Sequence, residues 1–304
     1  MSAAARVAAR VIAAWLLTWL CGWILVELAA EPPARLAARA AGRLPPDDAP
    51  VAARDEVIAA QARGFGLDGG PAARTARVVG RALALAPGPG WRDGRPAGVI
   101  ARHLAGATLA RVAAALAVAI AAGALAALAL ARRRRGGAAL AVGAALAIAM
   151  PTVWLCQLLL TASPGAALSS TAAVAILAVA PAAVVALHVG TALAALDASP
   201  LAIAVAARGA SRRRWHAVHG LALIAPGLAP LFGSTVGFTL AASPVVERAL
   251  ALPGAGRTLV AAAAVGDVPV VLTLAAGAAA LVALVAGLAD LVARRLDPRI
   301  AEAA

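Results

Sequence analysis

The sequence predicts an all-α, polytopic membrane protein with six transmembrane helices. Hydrophobic residues make up 63% of the 304 residues, charged residues 13%, and the mean hydropathy is +0.89. Soluble domains average roughly 45–50% apolar and about 25% charged residues. The chain also contains six apolar runs of about the length, roughly 20 residues, that a bilayer core requires of a helix. A lipid bilayer is therefore the expected environment of this chain.

The first apolar run covers about residues 11–30, VIAAWLLTWLCGWILVELAA, and follows Arg6 and Arg10. A basic start and small residues near the end also occur in signal peptides, whose apolar region is about 7–15 residues long. This run is longer. We therefore predict a retained transmembrane helix, with cleavage as the alternative.

A polar stretch at about 31–103 follows the first run and is rich in Pro, Gly, Arg and Asp, as in APGPGWRDGRP. Two helix-like pieces, near 51–63 and 72–86, are separated by Gly/Pro breaks. We expect this long loop to form a small extramembrane unit.

Five more apolar runs complete the predicted bundle, and we expect one span for each. The segments that separate them are RRRRGG (132–137), TASPGAA (161–167), a mixed region at about 191–220, and a polar loop at 244–268. The runs lie at about 104–131, 138–160, 169–190, 221–243 and 269–292.

The arginines orient these spans, because cytoplasmic loops of membrane proteins carry an excess of basic residues. The basic groups fall on alternate loops, which predicts that both termini are inside. The Arg-rich 31–103 stretch then lies outside, since long segments cross largely regardless of charge. The groups are Arg6 and Arg10, Arg132 to Arg135, Arg212 to Arg214, and Arg294, Arg295 and Arg299.

Nucleic-acid binding and metal binding are not expected. The net charge is +13, but the arginines lie at the ends of apolar runs rather than on one basic face. Cys21 and Cys156 lie inside apolar runs without metal-ligand spacing and are expected to be small buried hydrophobes. The four histidines form no ligand cluster in the sequence, so no metal or cofactor is predicted: His103, His188, His216 and His219.

Catalytic motifs are also lacking in the sequence. GSTVG (233–237) places its Ser one position too early for a GxSxG nucleophile, and PGAGRT (253–258) is not a phosphate-binding loop. A phosphate-binding loop would have a glycine at position 251 and a lysine at position 257, where this sequence has Ala251 and Arg257. We therefore predict no catalytic residues and no nucleotide hydrolysis by this chain.

A few polar residues in the apolar runs are candidates to line a pathway: Gln157, Ser234, Thr235 and Thr239. The alternative role for such residues is hydrogen bonding between or within helices. Charges in the runs are restricted to Glu27, Arg111 and Asp290, each near a span end. A proton-coupled carrier usually has buried carboxylates or histidine relays, so this pattern argues against that class.

From about Leu201 onward, the sequence resembles the permease subunit of ABC importers of the dipeptide/oligopeptide/nickel type. AARGAS (206–211) resembles the family's Ala-x-Lys-Gly-Leu-Ser turn, and His219 lies ten residues after its glycine. SPVVERALALPGAGRTLVAAAAVGDVPVV (243–271) resembles the family's outer loop, and ARRLDPRI its C-terminal segment. GLDGGPAAR, GRPAGVI and AMPTVWL in the N-terminal half agree more loosely.

The resemblance implies a type I ABC importer permease fold in a single domain over 1–304, with a core at about 104–300. It also implies partners: ABC ATPase subunits, an extracytoplasmic substrate-binding protein and a second permease, as a heterodimer. A cytoplasmic coupling loop at about 191–220 would carry Ala207, Arg208, Gly209, Ser211, Arg212 and His219. The outer-loop motif would comprise Glu247, Pro253, Gly254, Gly256, Arg257, Asp267 and Pro269.

The residue types in these motifs leave several roles open. A glycine at 209 permits a tight turn, while the neighbouring arginines either pair with an acidic partner or keep the loop inside. Glu247 and Asp267 are expected to cap helices or fix the outer turn, with Arg257 pairing with either. The outer motif serves either loop packing or contact with the binding protein.

Two departures from the family pattern supply an alternative hypothesis. The segment before Gly209 carries almost no charge and contains Pro200, and the following span has Leu223 in place of an Asn and its proline, Pro226, one residue early. The leading prediction is a pore subunit for peptides or another small solute such as nickel. The alternatives are a membrane scaffold with weakened or lost ATPase coupling and, with little residue support, a membrane-embedded enzyme.

Overall fold

The computed structural model describes residues 2–131, 136–163 and 169–296. The RRRR group, most of the TASPGAA separator and the LDPRI tail from Asp297 onward lie outside these ranges. Within them the chain is helical, no β-strand is formed, and Pro89 and Pro96 make an isolated bridge. The helices fall into two compact units, Met1–Thr108 with Pro253–Leu284, and Leu109–Leu252 with Val285–Ala304.

Among the described residues, five continuous helices are long and apolar enough to span a membrane. They are α1 (Ala3–Glu27), α5 (Ala97–Leu130), α8 (Ser170–Asp197), α11 (Leu221–Ala249, whose apolar span begins at Val218) and α13 (Val268–Leu296). The count rises to six if α6 (Gly136–Ala149) and α7 (Thr152–Ala162) form one span. This confirms the predicted all-helical membrane class.

The run at about 138–160, expected as one helix, is bent by 84° between α6 and α7. Pro151 lies in the break. It has no N–H to continue the helical hydrogen bonds, and its ring disfavours the helical conformation of Met150 before it. The single span predicted here therefore corresponds to two helices with a sharp bend between them, which form either one broken span or a re-entrant segment.

In the first unit, a tryptophan stripe on α1 organises the core. Trp15, Trp19 and Trp23 recur every four residues and therefore share one helix face. Trp19 and Trp23 are each 2% exposed, and the Trp15 Nε1 donates to the Ala82 carbonyl at 2.9 Å. They pack with residues of three short helices, Trp91 and the start of α13. The short helices are α2 (Pro33–Ala40), α3 (Val51–Phe65) and α4 (Pro71–Leu83).

The polar stretch is thus more helical than predicted. The pieces expected near 51–63 and 72–86 are confirmed as α3 and α4, whereas α2 was not predicted. Glu27 at the end of α1 binds Arg74 of α4 through two hydrogen bonds of 2.8 and 2.6 Å. In the α3–α4 turn, a 2.8 Å hydrogen bond from Arg77 lowers the pKa of the Asp68 carboxyl below its ordinary value.

In the second unit, α8 is the central helix, and most of its buried residues lie in two apolar clusters shared with the neighbouring helices. One cluster joins α8 to α5, α7 and α11, and the other joins it to α5, α6 and α11. Small residues allow close approach. A Cβ on Gly123 of α5 would lie 2.5 Å from the Ala182 carbonyl oxygen of α8. Glycine at such contacts is a common packing device in membrane helices.

Candidate functional site: the loop after α8 and the segment around α12

The expected coupling loop contains two further helical pieces. The membrane helix α8 ends at Asp197, and the short helix α9 (Pro200–Ala207) follows almost at once. The chain then turns at Gly209, whose φ is 80° with open space around its Cβ position. The space around Gly209 would accept a side chain, but residues with a Cβ disfavour a positive φ. The backbone conformation, and not steric crowding, therefore requires glycine here. Ser211 caps the next helix, α10 (Arg212–Arg214), by accepting a 3.3 Å hydrogen bond from the Arg214 N–H.

Asp197 connects the two ends of this loop. One carboxylate oxygen accepts from Arg212 Nη2 at 2.7 Å. The other accepts from Trp215 Nε1 at 3.0 Å and contacts His216 Nε2 at 2.8 Å. Trp215 and His216 are buried, at 5% and 2% exposure, in a single π-helical segment, Trp215–Gly220. We call these four residues the Asp197 clasp.

The clasp was not predicted from the sequence, where His216 was weighed only as a metal ligand. One signal was present: Asp197 is the single acidic residue between 191 and 220, a segment that also carries four arginines. Of the residues predicted for this loop, Arg212 belongs to the clasp. Ala207 and Arg208 lie exposed at the end of α9, and His219 stacks against Trp215 with ring centroids 6.0 Å apart.

The helix α9 is apolar and has no buried residue. Its side chains of Leu201 and Ile203 are 47% and 72% exposed. A cavity of about 390 Å³ lies against it, lined by Asp197, Ala202, Ile203, Ala206, Ala210, Arg212 and Trp215. An apolar helix that packs on so little of its own chain is a surface for a partner or for lipid.

Glu247 and Arg111 form a buried ion pair in the second unit. Glu247 was expected in a polar loop at 244–268, but α11 continues to Ala249, so that loop boundary was wrong. The carboxylate is 1% exposed and accepts from Arg111 Nη2 of α5 at 2.7 Å, with the Arg111 side chain 8% exposed. Charges in such a site require pairing, because an uncompensated charge is strongly disfavoured there.

Asp267 holds a loop of the first unit in place. It is 4% exposed and accepts hydrogen bonds from the backbone N–H groups of Trp91 at 2.9 Å and Arg92 at 3.3 Å. The loop also closes on itself, through a 2.8 Å bond from the Gly90 N–H to the Arg95 carbonyl. Asp267 therefore fixes the turn of residues 89–96, whereas the sequence predicted that it would cap a helix or fix the turn at 253–257.

The rest of the outer-loop motif builds the helix α12 (Ala255–Val265). Gly254 precedes it in extended backbone, Gly256 is buried in its first turn, and Gly266 ends it with a φ of 79°. Thr108 Oγ1 accepts from the Ala255 N–H at 2.8 Å. Pro253 leads into Gly254, and Pro269 lies in the first turn of α13, where its carbonyl accepts from Thr273.

A basic cleft of about 430 Å³ lies beside α12, within the first unit. Arg92 and Arg95 from the Asp267-held loop line it together with Arg257 from α12, and all three residues are exposed. Ile100, Leu104 and Val270 add apolar lining. The carboxylates of Asp93 and Asp267 also line the cleft, so its three arginines exceed its acidic residues by one. This combination suits an anionic group on a partner, since guanidinium groups bind carboxylates through paired hydrogen bonds.

The residues predicted to line a pathway differ in their surroundings. Thr235 and Thr239 are buried, and their hydroxyls donate to the carbonyls of Leu231 and Thr235 in the same helix, the second at 2.7 Å. Ser234 on α11 and Gln157 on α7 are exposed. Their role in a pathway stays a prediction.

The family model described as "Binding-protein-dependent transport system inner membrane component" matches residues 119–302, which is more than half of the chain. No curated protein matches the sequence at a significant level. The matched range contains α6–α13, the Asp197 clasp, Glu247 and Asp267. The chain therefore belongs to the inner-membrane permease components of binding-protein-dependent ABC importers.

Proposed function

We propose that this chain forms half of the translocation pathway of an importer for peptides or a small solute such as nickel, in a heterodimer with a second permease. Family membership makes it a multi-pass pore subunit of the inner membrane that works with an ABC ATPase and a substrate-binding protein. The finer assignment is supported by PGAGR, Asp267-x-Pro269 and DPRI at their family spacing.

The coupling element in this proposal is the loop at about 191–220, whose central part runs from Ser199 to Ser211. The observation that carries it is the exposure of α9, an apolar helix with no buried residue that precedes the Gly209 turn. A rigid connection through Asp197 to the membrane helix α8 would transmit movement of a docked ATPase to the bundle. The face that carries Arg92, Arg95 and Arg257 would then meet the substrate-binding protein on the opposite side, in the N-in, C-in orientation.

The experiment is a pull-down of the cognate ATPase from detergent-solubilised membranes, with the wild-type chain and a Gly209→Pro, Arg208→Glu variant compared at equal membrane levels. Proline fixes φ near −65° and is incompatible with the left-handed turn at Gly209. We expect the wild type to recover the ATPase and the variant to lose it.

Gly42→Pro is the matched control, because Gly42 also has a positive φ, 65°, with open space around it, but lies between α2 and α3. It should recover the ATPase normally. Failure of the wild-type chain itself would favour the scaffold alternative. Uptake of a labelled dipeptide and of Ni²⁺ by the reconstituted importer then distinguishes the proposed substrates.

A further inference from the structure

The loop that carries α9 is closed by one carboxylate. Asp197 is the last residue of α8. Its hydrogen-bonding partners lie 15, 18 and 19 residues further along the chain, in Arg212, Trp215 and His216. Both carboxylate oxygens are used. The clasp therefore joins the end of one membrane helix to the segment that leads into the next.

The three hydrogen-bonding partners of Asp197 differ in how deeply they are buried. Trp215 and His216 are buried and begin the π-helical segment before α11, whereas the Arg212 side chain is 61% exposed. The two buried partners define where the Asp197 carboxylate lies, and Arg212 contributes charge from the solvent side. Hydrogen bonds to an ionised acceptor are stronger than those between neutral groups.

Packing holds α9 only loosely, since Ala202 and Val205 are its only half-buried residues. None of its residues is buried, and the cavity of about 390 Å³ separates part of it from the clasp. Its position therefore depends on its two ends. At one end, the Ser199 hydroxyl donates to the Leu196 carbonyl at 2.6 Å beside Asp197, and at the other the Gly209 turn leads to Ser211 and Arg212.

We propose that Asp197 is a positioning residue for ATPase docking: by closing the loop on Arg212, Trp215 and His216, it fixes where α9 is presented. This inference rests on the proposed coupling function of the loop. Asp197 would not contact substrate or nucleotide. It would set the geometry in which the exposed side chains of Leu201 and Ile203 meet the partner.

The test uses Asp197→Asn, which keeps the side-chain shape but removes the charge and one acceptor oxygen. Wild-type and variant chains are reconstituted in proteoliposomes with the complete importer, and substrate transported per ATP hydrolysed is measured. Loss of one charge-assisted hydrogen bond corresponds to a change of roughly tenfold in an equilibrium constant. We expect transport per ATP hydrolysed to fall by about that factor.

A second readout separates positioning from general stability. A nitroxide label on Ala204→Cys, at an exposed position of α9, in a background without Cys21 and Cys156, reports the mobility of α9. Asp197→Asn should increase its mobility, while Asp197→Glu, which keeps both acceptor oxygens, should restore much of the coupling. Asp55→Asn on the exposed face of α3 is the control and should behave as wild type.

The outcomes are distinguishable from failure of the proposed function. If Gly209→Pro uncouples the importer but Asp197→Asn transports normally with an unchanged label spectrum, the clasp inference is wrong and the coupling loop stands. If Asp197→Asn lowers only the amount or melting temperature of the protein, with normal transport per ATP, Asp197 is structural and the inference is also overturned.

Discussion

The buried pair of Arg111 and Glu247 concentrates two opposite charges inside the second unit. Each charge lies on a different long helix, α5 or α11, and both are nearly inaccessible to solvent. Removing one partner of a buried ion pair leaves the other charge uncompensated, which typically costs about 3–5 kcal/mol. The pair is therefore expected to determine whether these two helices remain together.

We predict that Glu247→Gln lowers the stability of the solubilised protein by about 3 kcal/mol, at the low end of that range, because the amide can still accept a hydrogen bond from Arg111. The measurement is thermal unfolding in detergent. Arg248→Gln, at the exposed neighbouring position on α11, is the matched control and should change the midpoint little. An unchanged midpoint in Glu247→Gln would show that the pair does not stabilise the bundle.

The sequence does not show which residues bind Glu247 and Asp267. Arg111 lies 136 residues before Glu247, and Trp91 lies 176 residues before Asp267. Local patterns identify such charges as unusual but do not identify what binds them. Asp197 illustrates the same limit at shorter range, because its partners come together only through the turn at Gly209.

At the scale of helices, hydropathy predicted where the apolar runs lie but not where helices end. The segment 244–268 appeared to be a loop because it contains Pro253, Gly254 and four charged residues, Glu247, Arg248, Arg257 and Asp267. The structure instead extends α11 to Ala249 and inserts α12, whose alanines favour helix. The bend at Pro151 was not predicted, because the apolar run at about 138–160 continues through it without a polar interruption.

The crossing of α5 and α8 provides a test at this scale. A Cβ on Gly123 would lie 2.5 Å from the Ala182 carbonyl oxygen and 2.9 Å from the Val185 Cβ. Backbone atoms cannot move away as a flexible side chain does, so Gly123→Ala should force the two helices apart. We predict a loss of about 1–3 kcal/mol, the usual effect of overpacking, measured as a lower unfolding midpoint.

Gly143→Ala on α6 is the control, because no atom lies within 4 Å of its Cβ position apart from local neighbours. Alanine is the better helix former by about 1 kcal/mol in soluble hosts. This variant should therefore be neutral or slightly stabilised. Equal behaviour of the two variants would show that α5 and α8 do not cross closely at Gly123.

For the whole molecule, the predicted orientation makes a direct prediction about labelling. With both termini inside, the 31–103 segment lies outside and the Gly209 loop inside. In intact cells, an impermeant maleimide should label Arg63→Cys on α3 and leave Arg208→Cys unlabelled, in a background without native cysteines. Both positions are exposed, so burial would not explain a difference. Labelling of Arg208→Cys but not of Arg63→Cys would show that the topology is the reverse of the predicted one.

The predicted orientation would place the basic cleft on the side of the substrate-binding protein. Arg92 and Arg95 are held in the cleft because Asp267 accepts from the backbone of their loop, and Arg257 lies on α12 beside them. Complementary charges at an interface mainly speed association and weaken with salt. We therefore predict that Arg92→Glu with Arg95→Glu slows association of the binding protein at low salt by about tenfold.

The measurement is surface plasmon resonance of the binding protein on importer reconstituted in nanodiscs, at low and high salt. The control, Arg43→Glu with Arg63→Glu, changes the net charge equally at exposed positions of the same unit that do not line the cleft. If the contact is specific to the cleft, Arg92→Glu with Arg95→Glu lowers both the association rate and its dependence on salt. The control variant leaves both unchanged. If both variants slow equally, the binding protein senses only the overall charge of the unit, and Asp267 serves to pack the loop of residues 89–96.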